Sequence, residues 1–146
     1  MEDRAFTLEL LRTNETEIAY LAGLFDGEGS VVIVWVGRQL ALYGGLRIAI
    51  EMTTPEPLRF AQRIFGGKIY VTERYSPHKP LSHWSLCGAK ASVFLRAVEP
   101  YLIVKHEKTN LALSFLAYGR TQSPRKRELA ELITPRQTKN QNDIAR

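Results

Sequence analysis

Cysteine is almost absent from this chain: Cys87 is the only one in 146 residues. One thiol excludes an internal disulfide framework and a cysteine-based zinc site. Histidine is scarce too, and His78, His83 and His106 are too scattered to suggest a metal cluster. No apolar run reaches the roughly eighteen residues that a membrane span requires. The opening stretch, MEDRAFTLEL, is acidic and lacks the pattern of a signal peptide. These absences point to an intracellular chain in a reducing compartment, cytoplasm or organelle interior, with no membrane partner.

What is present fits one domain. A chain of 146 residues with an apolar share of 45% is long enough to bury a core. The net charge is +5, unevenly placed. Residues 1–118 carry 13 Lys/Arg against 12 Asp/Glu, and residues 119–146 carry 7 against 3. Positive excess is a footprint of polyanion binding. Because it sits in the tail, charge alone reads more simply as a solvated basic end.

Hydrophobic period and turn residues order the elements. Asn14, with Glu17 three residues later, caps a helix whose Ile18, Leu21, Ala22 and Phe25 form one apolar face. Along that helix, Ala19, Gly23 and Gly27 repeat at the spacing that lets two helix backbones approach closely. The plain alternative is a helix packed on its own sheet. SVVIVWVGR and LRIAIEM read as strands, joined through QLALYGG by a glycine turn. TPEPLRFAQRIFGG is a helix with Leu58, Ala61, Ile64 and Phe65 inward, ending at Gly66. KIYVTERY and LSHWSL are two further strands around the loop SPHKP, and His83 reads as a sheet-surface residue. AKASVFLRAVEPYL and KHEKTNLALSFLAYG are helices. Ser123 and Pro124 open a short basic helix, and the polar remainder is expected to be disordered. The order is α-β-β-α-β-β-α-α-α, an α+β domain over residues 1–118. Residues 119–146 add the basic helix and tail, and no segment repeats.

The stretch YLAGLFDGEGSVVIVWV, Tyr20 to Val36, carries the chemistry. A helix ends in Asp26 and Glu28, each followed by glycine, just before a strand. Asp-Gly turns are ordinary. Even so, LAGLFDGEGS (Leu21–Ser30) resembles the motif of the LAGLIDADG homing endonucleases. EPYLIVKHEKTNL (Glu99–Leu111) resembles the family segment bearing a basic active-site residue, and FGGKIY (Phe65–Tyr70) matches a common family pattern. The resemblance spans roughly residues 14–118.

It implies the family's αββαββα domain with a four-stranded antiparallel sheet. A single motif implies a homodimer, with two motif helices packed at the dyad through Ala19, Gly23 and Gly27. Glu28 then corresponds to the metal-binding acid at the dimer centre, with the Gly27 carbonyl as a further ligand. Magnesium, a divalent ion that prefers hard oxygen ligands, is the implied cofactor. Asp26 is expected to orient the turn or cap a neighbouring helix. Lys105 is the second catalytic candidate, as a fixed cation; without the resemblance it would be a solvated lysine at a helix start. His106 and Lys108 are weaker candidates. Double-stranded DNA is the implied partner, read along the major groove by the sheet's outer face, with Ser30, Arg38, Tyr43, Arg47, Arg74 and Lys79 as candidate contacts. The implied function is site-specific cleavage of a long pseudo-palindromic duplex by the product of a mobile gene.

Two features depart from the family. The face of the first strand that continues from Ser30 is Val32, Val34 and Val36, and the other is Val31, Ile33 and Trp35. Both are apolar, where a sheet with one wet face should alternate. Either the valines touch thymine methyls, or a partner or the C-terminal tail covers them, or the DNA face has degenerated. Second, where the family places a polar residue such as glutamine, the local run is Glu51, Met52, Thr53, Thr54. These departures keep an alternative open: a non-cleaving nucleic-acid-binding protein on the same fold, an RNA-splicing maturase or a regulator. A protein-interaction dimer is the third reading. The target sequence is not legible.

Overall fold

The computed structural model describes residues 15–36 and 42–136, with backbone alone at 42 and 43. Helix α1 (Glu15–Glu28) runs into β1 (Gly29–Val36), followed by β2 (Leu42–Met52). Helix α2 (Glu56–Phe65), strands β3 (Lys68–Thr72) and β4 (Leu81–Cys87), and helix α3 (Gly88–Val98) come next. After a 3-10 turn (Glu99–Tyr101), α4 (His106–Ala117) and α5 (Pro124–Ile133) are the last elements of the described residues. The element order is the one the sequence implies. The four strands form one antiparallel sheet in the order β1-β2-β4-β3.

One face of that sheet makes the core. Val31 and Ile33 of β1, Leu46, Ile48 and Ile50 of β2, and Trp84 and Leu86 of β4 are buried beneath the helices. From α1 the sheet receives Ile18, Leu21, Ala22 and Phe25, the face predicted from their spacing. Phe94 of α3 sits at the centre. Its ring meets Phe25, Phe65 and Trp84 edge-on, with centroids 5.2, 5.0 and 5.3 Å away. Edge-to-face packing of this kind adds stabilisation beyond area burial. The Trp84 indole also donates to the Gly66 carbonyl at 2.8 Å, which pins the end of α2 to β4.

Two glycines are required by close approach. A Cβ on Gly29 would overlap the Phe25 ring and carbonyl, so only glycine lets β1 leave the motif helix there. Gly67 has φ 91°, and a Cβ on it would stand 2.6 Å from the Leu86 side chain and the Ser85 carbonyl. Gly44 and Gly45 play another part than expected. They do not turn the hairpin but lie inside β2, opposite a register shift between Val34 and Trp35. The connection at 37–41 lies outside the described residues, as do Asn14 and the tail from 137.

The basic helix α5 is part of the core. Leu129, Ala130 and Ile133 are buried in the same cluster as the sheet residues. Ser123 caps it, accepting the Lys126 N–H at 3.1 Å. Lys126 itself, read in sequence as a surface charge, is buried. Its ammonium donates to the Gly119 carbonyl at 2.6 Å and lies 5.0 Å from the Phe115 ring centre. Burial lowers its pKa.

Past α5 the chain clamps the free edge of β1. The Thr134 hydroxyl accepts the Ile33 N–H at 2.9 Å, and the Trp35 indole donates to the Thr134 carbonyl at 2.7 Å. Arg136 lies 5.5 Å over the Trp35 ring and pairs with Glu131. An edge strand with unpaired N–H groups would otherwise invite a foreign strand. No helix among the described residues is long and apolar enough to cross a membrane.

The aromatic centre sets the first expected outcome. Phe94→Ala removes the ring shared by α1, α2 and β4 and should destabilise the fold by about 3–5 kcal/mol. Urea unfolding followed by tryptophan fluorescence measures it.

Candidate functional site

The last turn of α1 carries both acids, and the structure gives them different surroundings. Asp26 points at the segment before α4. Its carboxylate accepts the backbone N–H groups of Ile103 at 2.9 Å, Val104 at 3.0 Å and Lys105 at 2.8 Å. Lys105 is the N-cap of α4 and makes no side-chain cap of its own. A carboxylate from another helix therefore satisfies N–H groups at a helix start, the orienting part expected of Asp26. Partial burial pushes its pKa up, but the hydrogen bonds from Val104, Lys105 and Ile103, with the Lys105 charge, outweigh that and leave it lowered.

Lys105 completes the link from the other side. Its ammonium donates to the Asp26 main-chain carbonyl at 2.6 Å and lies 6.0 Å from the Phe25 ring centre. The plain alternative, a lysine free in solvent, does not hold here. The cation rests on one of the carbonyls that a helix end leaves unpaired, two residues before Glu28. By contrast, His106 faces away, its Nε2 2.7 Å from Glu99 Oε1. Lys108 is exposed.

Glu28 and Gly27 are exposed at the end of α1. Glu28 is followed by β1, and its carboxylate has no hydrogen bond or ion pair recorded with another described residue. Among the described residues no group of three His, Cys, Asp or Glu could hold a metal. The donor types are those a hard cation such as magnesium takes: a carboxylate beside a helix-end carbonyl. They are too few in one copy.

The glycine stripe lies elsewhere than along the buried face. Gly23 and Gly27 are exposed on the other side of α1, with Ala19 half-buried. A Cβ built on Gly23 or Gly27 meets nothing within 4 Å. Nothing in the packing among the described residues needs these glycines. Each weakens a helix interior by about 1 kcal/mol relative to alanine. The helix packs on its own sheet through Ile18, Leu21, Ala22 and Phe25, as the plain alternative has it, and the glycines take no part in that contact.

The sheet's outer face is split. β1 presents Ser30 and then Val32, Val34 and Val36, with Val34 38% and Val36 43% exposed. The C-terminal clamp grips the strand's edge and Trp35, so within the described residues Val34 and Val36 stay exposed while Val32 is half-buried. β2 presents Arg47 and Glu51, both exposed. Arg74 and Lys79 are exposed in the β3–β4 connection, where the Arg74 Nε donates to the Lys79 carbonyl at 2.7 Å. Arg38 and the Tyr43 side chain lie outside the described residues. His83 differs from expectation: it is only 9% exposed, beneath the Tyr70 ring, which stacks on it at 4.4 Å. Its Nε2 is 2.8 Å from the Thr72 hydroxyl and its Nδ1 2.9 Å from Glu51 Oε1. Of the run Glu51, Met52, Thr53, Thr54, Met52 is half-buried against the core and the other three are exposed.

Solved structures share this arrangement. The homing endonuclease I-CvuI, in complex with its target, superposes with a TM-score of 0.65 at 21% identity, over 88% of this chain and 86% of its own. The archaeal intron-encoded I-Vdi141I, complexed with DNA, gives 0.61 at 19%, over 86% and 87%. I-CeuI, encoded in a group I intron and also complexed with DNA, gives 0.59 at 12%, over 96% and 78%. This is the LAGLIDADG homing-endonuclease fold. No family model and no curated protein sequence matches the chain, so the likeness rests on shape and on the motif.

The Asp26 anchor has a defined pH signature. A folded pKa below the ordinary 3.8 means its stabilisation is complete above that value and fades as pH falls through the lower folded value. Asp26→Ala should lose about 1–2 kcal/mol at pH 7, the size of a lost cap. The gap to wild type should narrow progressively as pH falls below that ordinary value. Denaturant titrations of both proteins across pH test this.

Proposed function

We propose that this chain is a divalent-metal-dependent, site-specific double-strand DNA endonuclease that works as a homodimer. The observation that carries the reading is the helix α1 itself. Its glycine face is open and unused, its exposed end carries Glu28, and a buttressed Lys105 stands beside it. Two copies packed through Ala19, Gly23 and Gly27 bring two Glu28 carboxylates together, one for each strand of a duplex. Like charges that close oppose each other until a cation joins them, so metal binding and productive assembly are linked. Bound magnesium supplies charge stabilisation at the attacking and leaving oxygens. Glu28, with the Gly27 carbonyl, holds that ion. Lys105 stabilises charge developing at the phosphate or polarises the attacking water, and its grip on the Asp26 carbonyl fixes where the charge sits. The outer sheet face lies along the major groove, with Arg47, Arg74 and Lys79 available to phosphates. The neighbours solved with DNA support DNA binding on this fold. I-CvuI was solved on DNA in the presence of calcium and, on another target, of magnesium with the DNA not cleaved, so these conditions are consistent with divalent metal at the site and leave cleavage to the assay.

The uncovered valines favour a second reading, a DNA- or RNA-binding protein on this fold that does not cut. Val32, Val34 and Val36 offer methyl contacts and no hydrogen bonds, which weakens discrimination between bases. The two readings separate in one assay. Duplex DNA that joins the sequences flanking the chain's gene is incubated with wild type and with Glu28→Gln, in magnesium and in chelator. Cutting that needs both Glu28 and magnesium is expected, and Lys105→Met should slow it about a hundredfold or more. Metal-independent binding without cutting, unchanged in Glu28→Gln, would establish the second reading instead.

Assembly gives a separate outcome. Gly23→Leu adds a side chain that this chain alone accommodates, so the protein should fold normally. By sedimentation velocity it should run as a monomer where wild type runs as a dimer.

A further inference from the structure

The polar half of the sheet's outer face is most organised at one row. Ile50 pairs with Gly29, so Glu51 lies at the end of the sheet next to the motif turn. Glu51 stands directly opposite His83, and His83 opposite Tyr70. The His83 ring is clamped. Tyr70 stacks on it at 4.4 Å with the planes 5° apart, and its Nε2 meets the Thr72 hydroxyl at 2.8 Å. Its Nδ1, buried and with no hydrogen bond among the described residues, lies 2.9 Å from Glu51 Oε1, so the carboxylate is the polar group set beside it. The Glu51 side chain is 53% exposed. A carboxylate is thus held in place on a surface that, in the reading above, meets a polyanion.

We infer that Glu51 is a base-reading residue that selects cytosine at one pair of symmetry-related positions near the centre of the DNA target, with His83 as its positioning residue. An ionised carboxylate only accepts hydrogen bonds. Facing DNA, it is repelled unless a base offers it an N–H. In the major groove guanine shows two acceptors and thymine one, so both leave the charge unpaired. Adenine has a donor at N6, but its N7 acceptor stands beside it and opposes the carboxylate. Cytosine N4 has a donor without that neighbour. The row therefore works largely by exclusion: the wrong base buries an unsatisfied negative charge. Glutamine in the same place would carry both a donor and an acceptor and match adenine N6 and N7 together.

The inference rests on the sheet binding duplex DNA as proposed, and the test keeps the two apart. Wild type, Glu51→Gln, Glu51→Ala and His83→Phe are each used to enrich duplexes from a randomised pool, and the bound DNA is sequenced. Wild type is expected to favour cytosine about tenfold or more at one symmetric pair of positions. Glu51→Gln should move that pair to adenine and leave the rest of the site unchanged, and Glu51→Ala should leave the pair degenerate. His83→Phe keeps the ring stack and removes Nδ1, so preference should weaken at that pair alone; an even loss across the site would overturn its positioning role. A wild-type site that Glu51→Gln does not change overturns the inference and leaves the endonuclease reading standing. Enrichment of no duplex by wild type overturns DNA binding, and this inference with it.

Discussion

The carboxylate of Asp26 gathers three consecutive backbone N–H groups, from Ile103, Val104 and Lys105, while the Lys105 ammonium returns to the Asp26 carbonyl. Two elements about eighty residues apart in sequence are thereby locked end to end: the close of the motif helix and the start of α4. The site depends on this lock because each partner is unfavourable alone. A lysine at a helix start opposes the positive end of the dipole, and a carboxylate at a helix end opposes the negative one. Crossed over, each charge sits at the terminus that attracts it. Of the two acids at the end of this helix, one is consumed by the architecture, while Glu28 stays exposed at the helix end.

The elements were largely legible because burial follows period. The inward faces of α1, β2 and β4 are the residues that hydrophobic spacing selects. Asp26 was legible as an orienting group because a carboxylate near a helix start is a common cap, although its partner segment was not. What the sequence hid depends on tertiary pairing. Nothing in SPRKREL distinguishes Lys126, which is buried, from Lys and Arg neighbours that lie mostly at the surface. The Glu51–His83–Thr72–Tyr70 row needs the register of three strands at once. The glycine stripe was read as a repeat, but only the folded chain shows that it looks outward. Gly44 and Gly45 read as a turn because glycine pairs usually are; a register shift in β1 instead places them within a strand.

The outer sheet face combines two kinds of surface. β1 offers methyl groups with little directional preference, while β2, β3 and β4 offer donors and acceptors fixed by neighbours. Hydrogen-bonding groups that are held rigid discriminate by penalty, and apolar ones discriminate weakly. A protein built this way would read its partner unevenly, strictly under one part of the sheet and loosely under another. The valines then need no loss of function to explain them. They mark where tolerance is allowed.

The clamp on β1 links the two ends of the described chain. Thr134 satisfies the Ile33 N–H across 101 positions of sequence. During synthesis the motif helix, the sheet and α3 all leave the ribosome before the residue that closes the sheet's edge exists. At the 5–20 residues per second typical of translation, β1 spends several seconds with that edge unguarded. A nascent chain could pair there with a strand of another copy. Truncation just before Thr134 would make that interval permanent, so the turn that follows α5 acts as the signal that this edge of the sheet is finished.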